Sequence, residues 1–287
     1  MKKIVILGSQ GMAGHLIFNY LLSLKKYEVY GISKSYDSHF SKIVINVENE
    51  KLLTSSLKKI NPDIVINCIG ILVDASKKNI KRAIKINGFL PHFLSDLGNE
   101  IGFKLIHLST DCVFSGIDGN YQENSSKDGK DWYAKTKSVG EVINNKDLTI
   151  RTSIIGPELK KNGSGLLNWF LSQNKKVYGF KNVFWSGVTT LELAKQMEGF
   201  IDQDIKGLFH LCPEEKISKY SLLSLINEKW NKKIIIEAET KKQIDKSLIC
   251  TRDDFSYINH RPSYNQMIID LKQWVYNNNI YQHLKDF

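Results

Sequence analysis

The sequence predicts an α/β fold, a doubly wound parallel sheet followed by a smaller C-terminal lobe, and three observations predict it. Short apolar runs rich in β-branched residues alternate with amphipathic stretches through about residue 155. The first of those runs is apolar throughout, as in a strand buried on both faces. It passes directly into a loop of three spaced glycines that opens a helix.

The elements follow in order. Residues 4–7 are the first strand, and residues 12–24 form the amphipathic stretch after the glycines. Residues 28–32 are a second strand, and Val44 and Val47 bracket a short third one. Residues 52–60 read as a helix that stops before Pro62. Residues 63–69 are a fourth strand, 80–97 a helix, 104–108 a strand, 133–143 a helix and 148–151 a strand. After Gly156 the alternation loosens into glycine- and lysine-rich loops that carry Trp169, Phe170, Phe180, Phe184 and Trp185. A strand at 208–211, a helix at 219–230, a strand at 233–237 and a helix at 266–276 complete the chain. The expected division is 1–155 for the main sheet and 156–287 for the lobe, with later segments returning to the sheet.

Composition narrows the function. The chain has 287 residues, 42% hydrophobic and 24% charged, enough to bury a substantial core. It is too apolar for a disordered tail. No apolar run approaches the roughly 18 residues of a membrane span, and no signal peptide is apparent, so a cytoplasmic protein is expected. The 4 cysteines are scattered, with no CxxC pair and no metal-ligand spacing, and are expected to be buried free thiols without a metal. Lys+Arg outnumber Asp+Glu by 40 to 30, a net charge of +10. Such a chain attracts anionic ligands. It has no compact basic arm, which argues against nucleic acid as a partner.

The glycine loop is the first chemical signal. Gly8-Ser9-Gln10-Gly11-Met12-Ala13-Gly14 reads GxxGxxG. Gly8 permits the turn, Gly11 admits a pyrophosphate to the backbone, and Gly14 lets the helix pack closely. The helix N-terminus then offers free N–H groups to phosphate. The pattern identifies a Rossmann-type dinucleotide site, with Gln10 and Met12 inside the loop. NAD sites place a carboxylate near the end of the second strand, about 20 residues on. Here Ser33 and Lys34 stand there and suit a 2′-phosphate, so the expected cofactor is NADPH, with NADH the alternative; Asp37 lies nearby.

The second signal is Tyr133-x-x-x-Lys137. On a helix, positions i and i+4 share a face, so phenol and ammonium point into one pocket. The pair follows a strand ending in Ser109-Thr110-Asp111, and the carboxyl ends of parallel strands are where such sheets bind ligands.

Together these segments resemble the extended short-chain dehydrogenase/reductase family and, within it, the dTDP-4-dehydrorhamnose reductase group. The likeness is carried by Gly8 to Gly14, Asn67-Cys68-Ile69-Gly70, Ser109-Thr110-Asp111-Cys112-Val113-Phe114-Ser115-Gly116, Tyr133 to Lys137, Gly140-Glu141 and residues 148–153. The chain departs from the group at Cys112, where a tyrosine is usual. It departs again at Trp185-Ser186-Gly187-Val188-Thr189 in the lobe that chooses the sugar.

The resemblance implies an NADPH-dependent reductase of a nucleotide-activated 4-keto-6-deoxy sugar, of the dTDP-4-dehydrorhamnose or UDP-2-acetamido-2,6-dideoxy-hexos-4-ulose type, in surface polysaccharide synthesis. Tyr133 would be the general acid, and Lys137 would lower its pKa and bond the nicotinamide ribose. Thr110 would hold the ketone oxygen, with Ser109 competing for that role. Asn46 and Val47 would flank the adenine, and Cys68, Ile69 and Gly70 would pass beneath the ribose and phosphates. Asp111, Val113, Trp185 and Arg252 are substrate-side candidates, Arg252 as a bidentate diphosphate ligand. Trp169 is a further stacking candidate, and Asn87 reads as a buried structural amide. A homodimer is the default assembly.

Two other readings stay open. One is dehydration or epimerisation of a sugar nucleotide on the same fold, against which Cys112 stands where a dehydratase would carry a second carboxylate. The other is a non-catalytic NADP-binding regulatory subunit, like that of methionine adenosyltransferase.

Overall fold

The computed structural model describes residues 1–161 and 163–285 of the chain. The first half runs β1 (Lys2–Leu7), α1 (Gly14–Ser23), β2 (Tyr27–Ser33), β3 (Ile43–Val44), α2 (Glu50–Ile60), β4 (Ile64–Asn67), α3 (Val73–Lys78), α4 (Ile80–Ala83), α5 (Leu90–Ile101), β5 (Lys104–Leu108), α6 (Trp132–Val139) and β6 (Leu148–Arg151). The second half runs β7 (Ile154–Ile155), α7 (Leu166–Leu171), β8 (Val177–Phe180), β9 (Val183–Trp185), β10 (Val188–Thr189), α8 (Thr190–Asp202), β11 (Gly207–His210), β12 (Ile217–Ser218), α9 (Lys219–Trp230), β13 (Ile236–Glu239), β14 (Ile244–Asp245) and α10 (Tyr264–Asn277), with a last turn, α11 (Gln282–Lys285).

Seven strands form one parallel sheet in the order β11-β6-β5-β4-β1-β2-β3. This is the Rossmann-type doubly wound arrangement, in which strand order reverses between β1 and β4 and opens a crevice at the carboxyl ends. Side-chain alternation explains the two layers. Ile4 and Ile6 pack into one core with Leu16 and Ile17 of α1 and Met197 and Phe200 of α8. Val5 and Leu7 pack into the other with Leu53 and Leu57 of α2 and Leu94 of α5. Each fully buried aliphatic side chain contributes about 1.5–3 kcal/mol.

Two expectations are corrected and one is refined. The helix expected over 80–97 is present and continues to Ile101, but Ile84–Phe89 are wound as a π-helical segment between α4 and α5. The helix expected over 133–143 ends at Val139, because Gly140 packs against the Asn87 backbone, where an added Cβ would lie 1.8 Å from the Asn87 oxygen. The stretch after Gly156 is more ordered than its loops suggest. It contains α8, whose first turn is capped by Thr189 accepting from the Glu192 N–H at 3.1 Å. Beyond it, β11 joins the main sheet beside β6, while β8 pairs with β13 and β9 with β12 and β14 outside it. Of the four free cysteines only Cys212 is fully buried; Cys68, Cys112 and Cys250 are partly exposed.

Candidate active site

The crevice begins at the glycine loop. Gly8 adopts φ +81°, and its N–H donates to Ile32 O at 2.8 Å, which folds the loop over the end of β2. Gly14 sits where an added Cβ would lie 2.2 Å from Gly8 O, so only glycine lets α1 approach the turn this closely. The open cleft beyond has a volume of about 270 Å³ and is lined by Gly8, Gln10, Gly11, Ser33, Lys34, Ser35, Ile45, Val47, Cys68, Ile69 and Gly70.

Gln10 organises one end of this cleft. Its amide donates to Ser33 Oγ and to Ser35 O, both at 2.8 Å, and its oxygen accepts from Ser35 Oγ at 2.9 Å. Lys34 stands beside these hydroxyls with its side chain exposed. No carboxylate lines the cleft among the described residues.

Asn46 does not line it. Its exposed side chain accepts the Glu48 N–H at 3.3 Å as a turn cap, while its neighbours Ile45 and Val47 point inward. Extended backbone sends alternate residues to opposite sides, so it is Ile45 and Val47 that line the cleft. Met12 reaches away to the lobe, where its Cε meets the space beside Gly165.

The second half of the site lies at the ends of β4 and β5. Asp131 caps α6 by accepting the Ala134 N–H at 2.8 Å, which fixes the helix that presents Tyr133 and Lys137 on one face. Lys137 is buried and donates from Nζ to Leu108 O at 2.6 Å; His107 Nε2 is 3.2 Å away. Burial lowers the Lys137 pKa to about 8, against the opposing pull of Glu141 and Cys68. Cys68, whose thiol burial pushes up to about 12, both lines the cleft and interacts electrostatically with Lys137.

Tyr133 is raised above the ordinary phenol value by burial and by the nearby Cys112, while a hydrogen bond with Thr110 acts the other way. A phenol so placed is protonated at neutral pH and suited to donate. Thr110 also accepts the Cys112 N–H at 3.1 Å, and its hydroxyl donates to Asp111 Oδ1 at 3.2 Å.

Ser109, one residue earlier, faces the opposite way and donates to Glu141 Oε1 at 2.8 Å. Glu141 is in turn held by Arg151 Nε at 2.7 Å and Nη2 at 2.9 Å. The structure thus pairs Thr110 with Tyr133, places Lys137 on the same face of α6 as Tyr133, and assigns Ser109 to a buried ionic network. Asn87 is a structural amide, bonding Ile71 at both backbone atoms and Thr136 Oγ1.

The substrate-side candidates separate. Asp111 is buried beside Thr110. Burial raises its pKa, opposed by Lys246 and Lys219. Val113 is a core residue, packed with Phe114, Tyr121, Cys212 and Leu248. Trp185 is buried within the lobe, its ring 5.8 Å from that of Tyr264, and it carries the Lys219 ammonium 4.6 Å from its centroid. It is not free to stack on a base. Trp169 is 39% exposed on α7. Arg252 lies at the other end of the sheet. It is paired with Asp254 and donates to the carbonyls of Lys206 and, at 3.0 Å, Leu208 at the start of β11.

Lys219 and Lys246 act electrostatically on Asp111 and Cys112. Neither stands in a local motif; Lys219 opens a helix that Ser218 caps. Among the described residues no group of three or more His, Cys, Asp and Glu is placed to hold a metal ion, and no helix is long and apolar enough to cross a membrane.

Comparison with known proteins adds a family. The model of the RmlD substrate binding domain matches residues 1–285. The chain is 31% identical over 159 residues to the Bacillus subtilis spore coat polysaccharide biosynthesis protein SpsK, covering 53% of each chain. It is 25% identical over 210 residues to the Escherichia coli dTDP-4-dehydrorhamnose reductase, covering 69% of this chain and 70% of that one. The match to the Bacillus subtilis protein thus spans about half the length of that relative. In three dimensions the chain is similar to a Bacillus anthracis dTDP-4-dehydrorhamnose reductase solved in complex with NADP. The TM-score is 0.80 at 18% identity, over 95% of this chain and 99% of that one.

Proposed function

Because the chain belongs to the RmlD substrate binding domain family, we propose that it is an NADPH-dependent reductase of a nucleotide-activated 4-keto-6-deoxy sugar. The observation that carries this reading is Cys68, which lines the glycine-loop cleft and interacts electrostatically with Lys137 of the Thr110–Tyr133–Lys137 set. The name of the Escherichia coli relative supports the same chemistry, and that of the Bacillus subtilis relative supports a setting in polysaccharide synthesis.

The residues present fit the cofactor. The close approach of Gly14 to Gly8 O, which a Cβ would prevent, keeps the loop tight at the start of α1, whose N-terminus would face the pyrophosphate. Ser33, Lys34 and Ser35 suit a 2′-phosphate, and no carboxylate lines the cleft to repel it; NADH is the weaker alternative. When bound, the reduced nicotinamide supplies a hydride to the C4 carbonyl carbon. Thr110 orients the ketone oxygen by a hydrogen bond. The Tyr133 O–H donates its proton to that oxygen as charge develops, and a secondary alcohol results. Lys137 positions the phenol face and, when protonated, stabilises the phenolate left behind.

In this reading residues 1–155 bind the cofactor. Residues 156–287 mainly bind the sugar nucleotide, with β11 contributed back to the sheet. The sugar is of the dTDP-4-dehydrorhamnose or UDP-2-acetamido-2,6-dideoxy-hexos-4-ulose type, and the setting is cytoplasmic surface-polysaccharide synthesis by a homodimer. Equilibrium titration by nicotinamide fluorescence tests the cofactor half of the proposal. It predicts tighter binding of NADPH than of NADH, and equal or reversed affinities would count against it.

A further inference from the structure

Beneath Lys137 lies a chain of hydrogen bonds that the reaction does not itself require. Asn67 ends β4 and His107 lies in β5. The two are paired in the register of the sheet, and both are fully buried. Asn67 Oδ1 accepts the Ile69 N–H at 3.1 Å. Its Nδ2 lies 3.2 Å from His107 Nδ1, and His107 Nε2 lies 3.2 Å from Lys137 Nζ.

The direction of these bonds is fixed from one end. A backbone N–H can only donate, so the Asn67 oxygen must face Ile69 and the Asn67 amide nitrogen must face His107. That nitrogen also can only donate, so His107 Nδ1 accepts. A neutral imidazole accepting at Nδ1 carries its proton on Nε2. His107 then presents an N–H to Lys137. An ammonium has no lone pair to receive it, whereas a neutral amine does. The same amine can still donate to Leu108 O at 2.6 Å.

We propose that Asn67 and His107 are positioning residues for Lys137. Asn67 fixes His107 in the tautomer protonated at Nε2, and that tautomer favours the amine form of Lys137 over the ammonium.

Protonating Lys137 would leave two N–H groups opposed in a buried space, or force Asn67 to abandon Ile69. Either raises the free energy of the charged form. The groups facing Lys137 are His107 from β5, Cys68 after β4, Glu141 after α6 and Tyr133 on its own helix; His92 acts on His107 from α5. Glu141 and Cys68 favour the ammonium and burial opposes it; on this polarity the His107 N–H opposes it as well. Burial likewise keeps His107 neutral, well below its ordinary value. A lysine balanced in this way gives up and recovers its proton near neutral pH, as a residue serving a tyrosine that loses a proton each turnover must. That role rests on the reductase reading; the hydrogen-bond polarity does not.

The test is long-range 15N–1H NMR of the ligand-free full chain labelled at histidine nitrogen. His107 is assigned by its loss in His107→Gln and, independently, by its response in Asn67→Asp. The expected result is a His107 proton on Nε2 in the wild type that moves to Nδ1 in Asn67→Asp, where a carboxylate can accept from it. A wild-type His107 protonated at Nδ1, or at both nitrogens, would overturn the proposal. The measurement uses neither cofactor nor sugar. A chain that turned over no sugar would therefore leave this inference standing, and the wrong tautomer would leave the reductase reading standing.

Discussion

The Ser109 hydroxyl donates to the Glu141 carboxylate at 2.8 Å, with both residues buried. Two adjacent hydroxyls at the end of one strand are thereby assigned different work, because extended backbone turns Ser109 toward the interior and Thr110 toward Tyr133. Thr110→Val should lower kcat by about 100-fold, the scale of losing one oriented donor at a reacting oxygen. Ser109→Ala should leave kcat within about threefold and lower stability by about 1 kcal/mol. Steady-state kinetics beside urea unfolding separates the two, and equal losses of kcat would contradict the assignment.

Glu141 is the hub of the buried network, bonded by Arg151 at 2.7 and 2.9 Å and by Lys127 at 3.0 Å. Burial pushes its pKa up, but Arg151 and Lys127 overcome this and hold it below the ordinary carboxylate value. A carboxyl with a depressed folded pKa stabilises above its unfolded value of about 4.3, and the contribution is lost as pH falls through the folded pKa. Glu141→Gln should cost about 3–5 kcal/mol at pH 7, because it leaves Arg151 buried without its charge partner. The gap between variant and wild type should narrow below about pH 4, as read from urea midpoints.

Gly14 has no room for a methyl group, since an added Cβ would meet Gly8 O at 2.2 Å. Gly14→Ala should push α1 off the turn, lower stability by about 1–3 kcal/mol and weaken dinucleotide binding at least tenfold. Thermal unfolding and a fluorescence titration read the two effects, and unchanged binding would place the pyrophosphate elsewhere.

Lys34 is exposed at the cleft end that Gln10, Ser33 and Ser35 organise. Exposed ion pairs are weak, about 0.2–1 kcal/mol. Lys34→Ala should therefore raise the KM for NADPH only about three- to fivefold and leave that for NADH unchanged. Ser33→Asp, which places a carboxylate at the 2′-phosphate, should reverse the preference. A preference unmoved by both variants would remove the 2′-phosphate from this position.

Much of this was legible in the residues. Three spaced glycines after an apolar run placed β1, the turn and α1, because the close contact of Gly14 with Gly8 tolerates nothing larger. The i, i+4 spacing of Tyr133 and Lys137 placed both on one helix face. What stayed hidden depends on tertiary neighbours. The π turn at Ile84–Phe89 has no composition of its own. Asn46 looked like a cleft residue until the alternation of Ile45 and Val47 was known. Arg252 has the chemistry of a diphosphate ligand, but Asp254 and the carbonyls of Lys206 and Leu208 hold it at the other end of the sheet. His107 reaches Lys137, and Lys219 acts on Asp111, only through tertiary packing that no local pattern records.

The central claim is tested most directly by NADPH oxidation with a panel of dTDP- and UDP-linked 4-keto-6-deoxy sugars, in the wild type and in Tyr133→Phe. The account predicts turnover of one class of sugar with one NADPH consumed per 4-hydroxyl formed. It also predicts a loss of at least 100-fold in kcat in the variant, with NADPH binding retained, since general-acid catalysis contributes about 10²–10⁴. Tight NADPH binding without turnover of any sugar, or turnover unaffected by Tyr133→Phe, would contradict it.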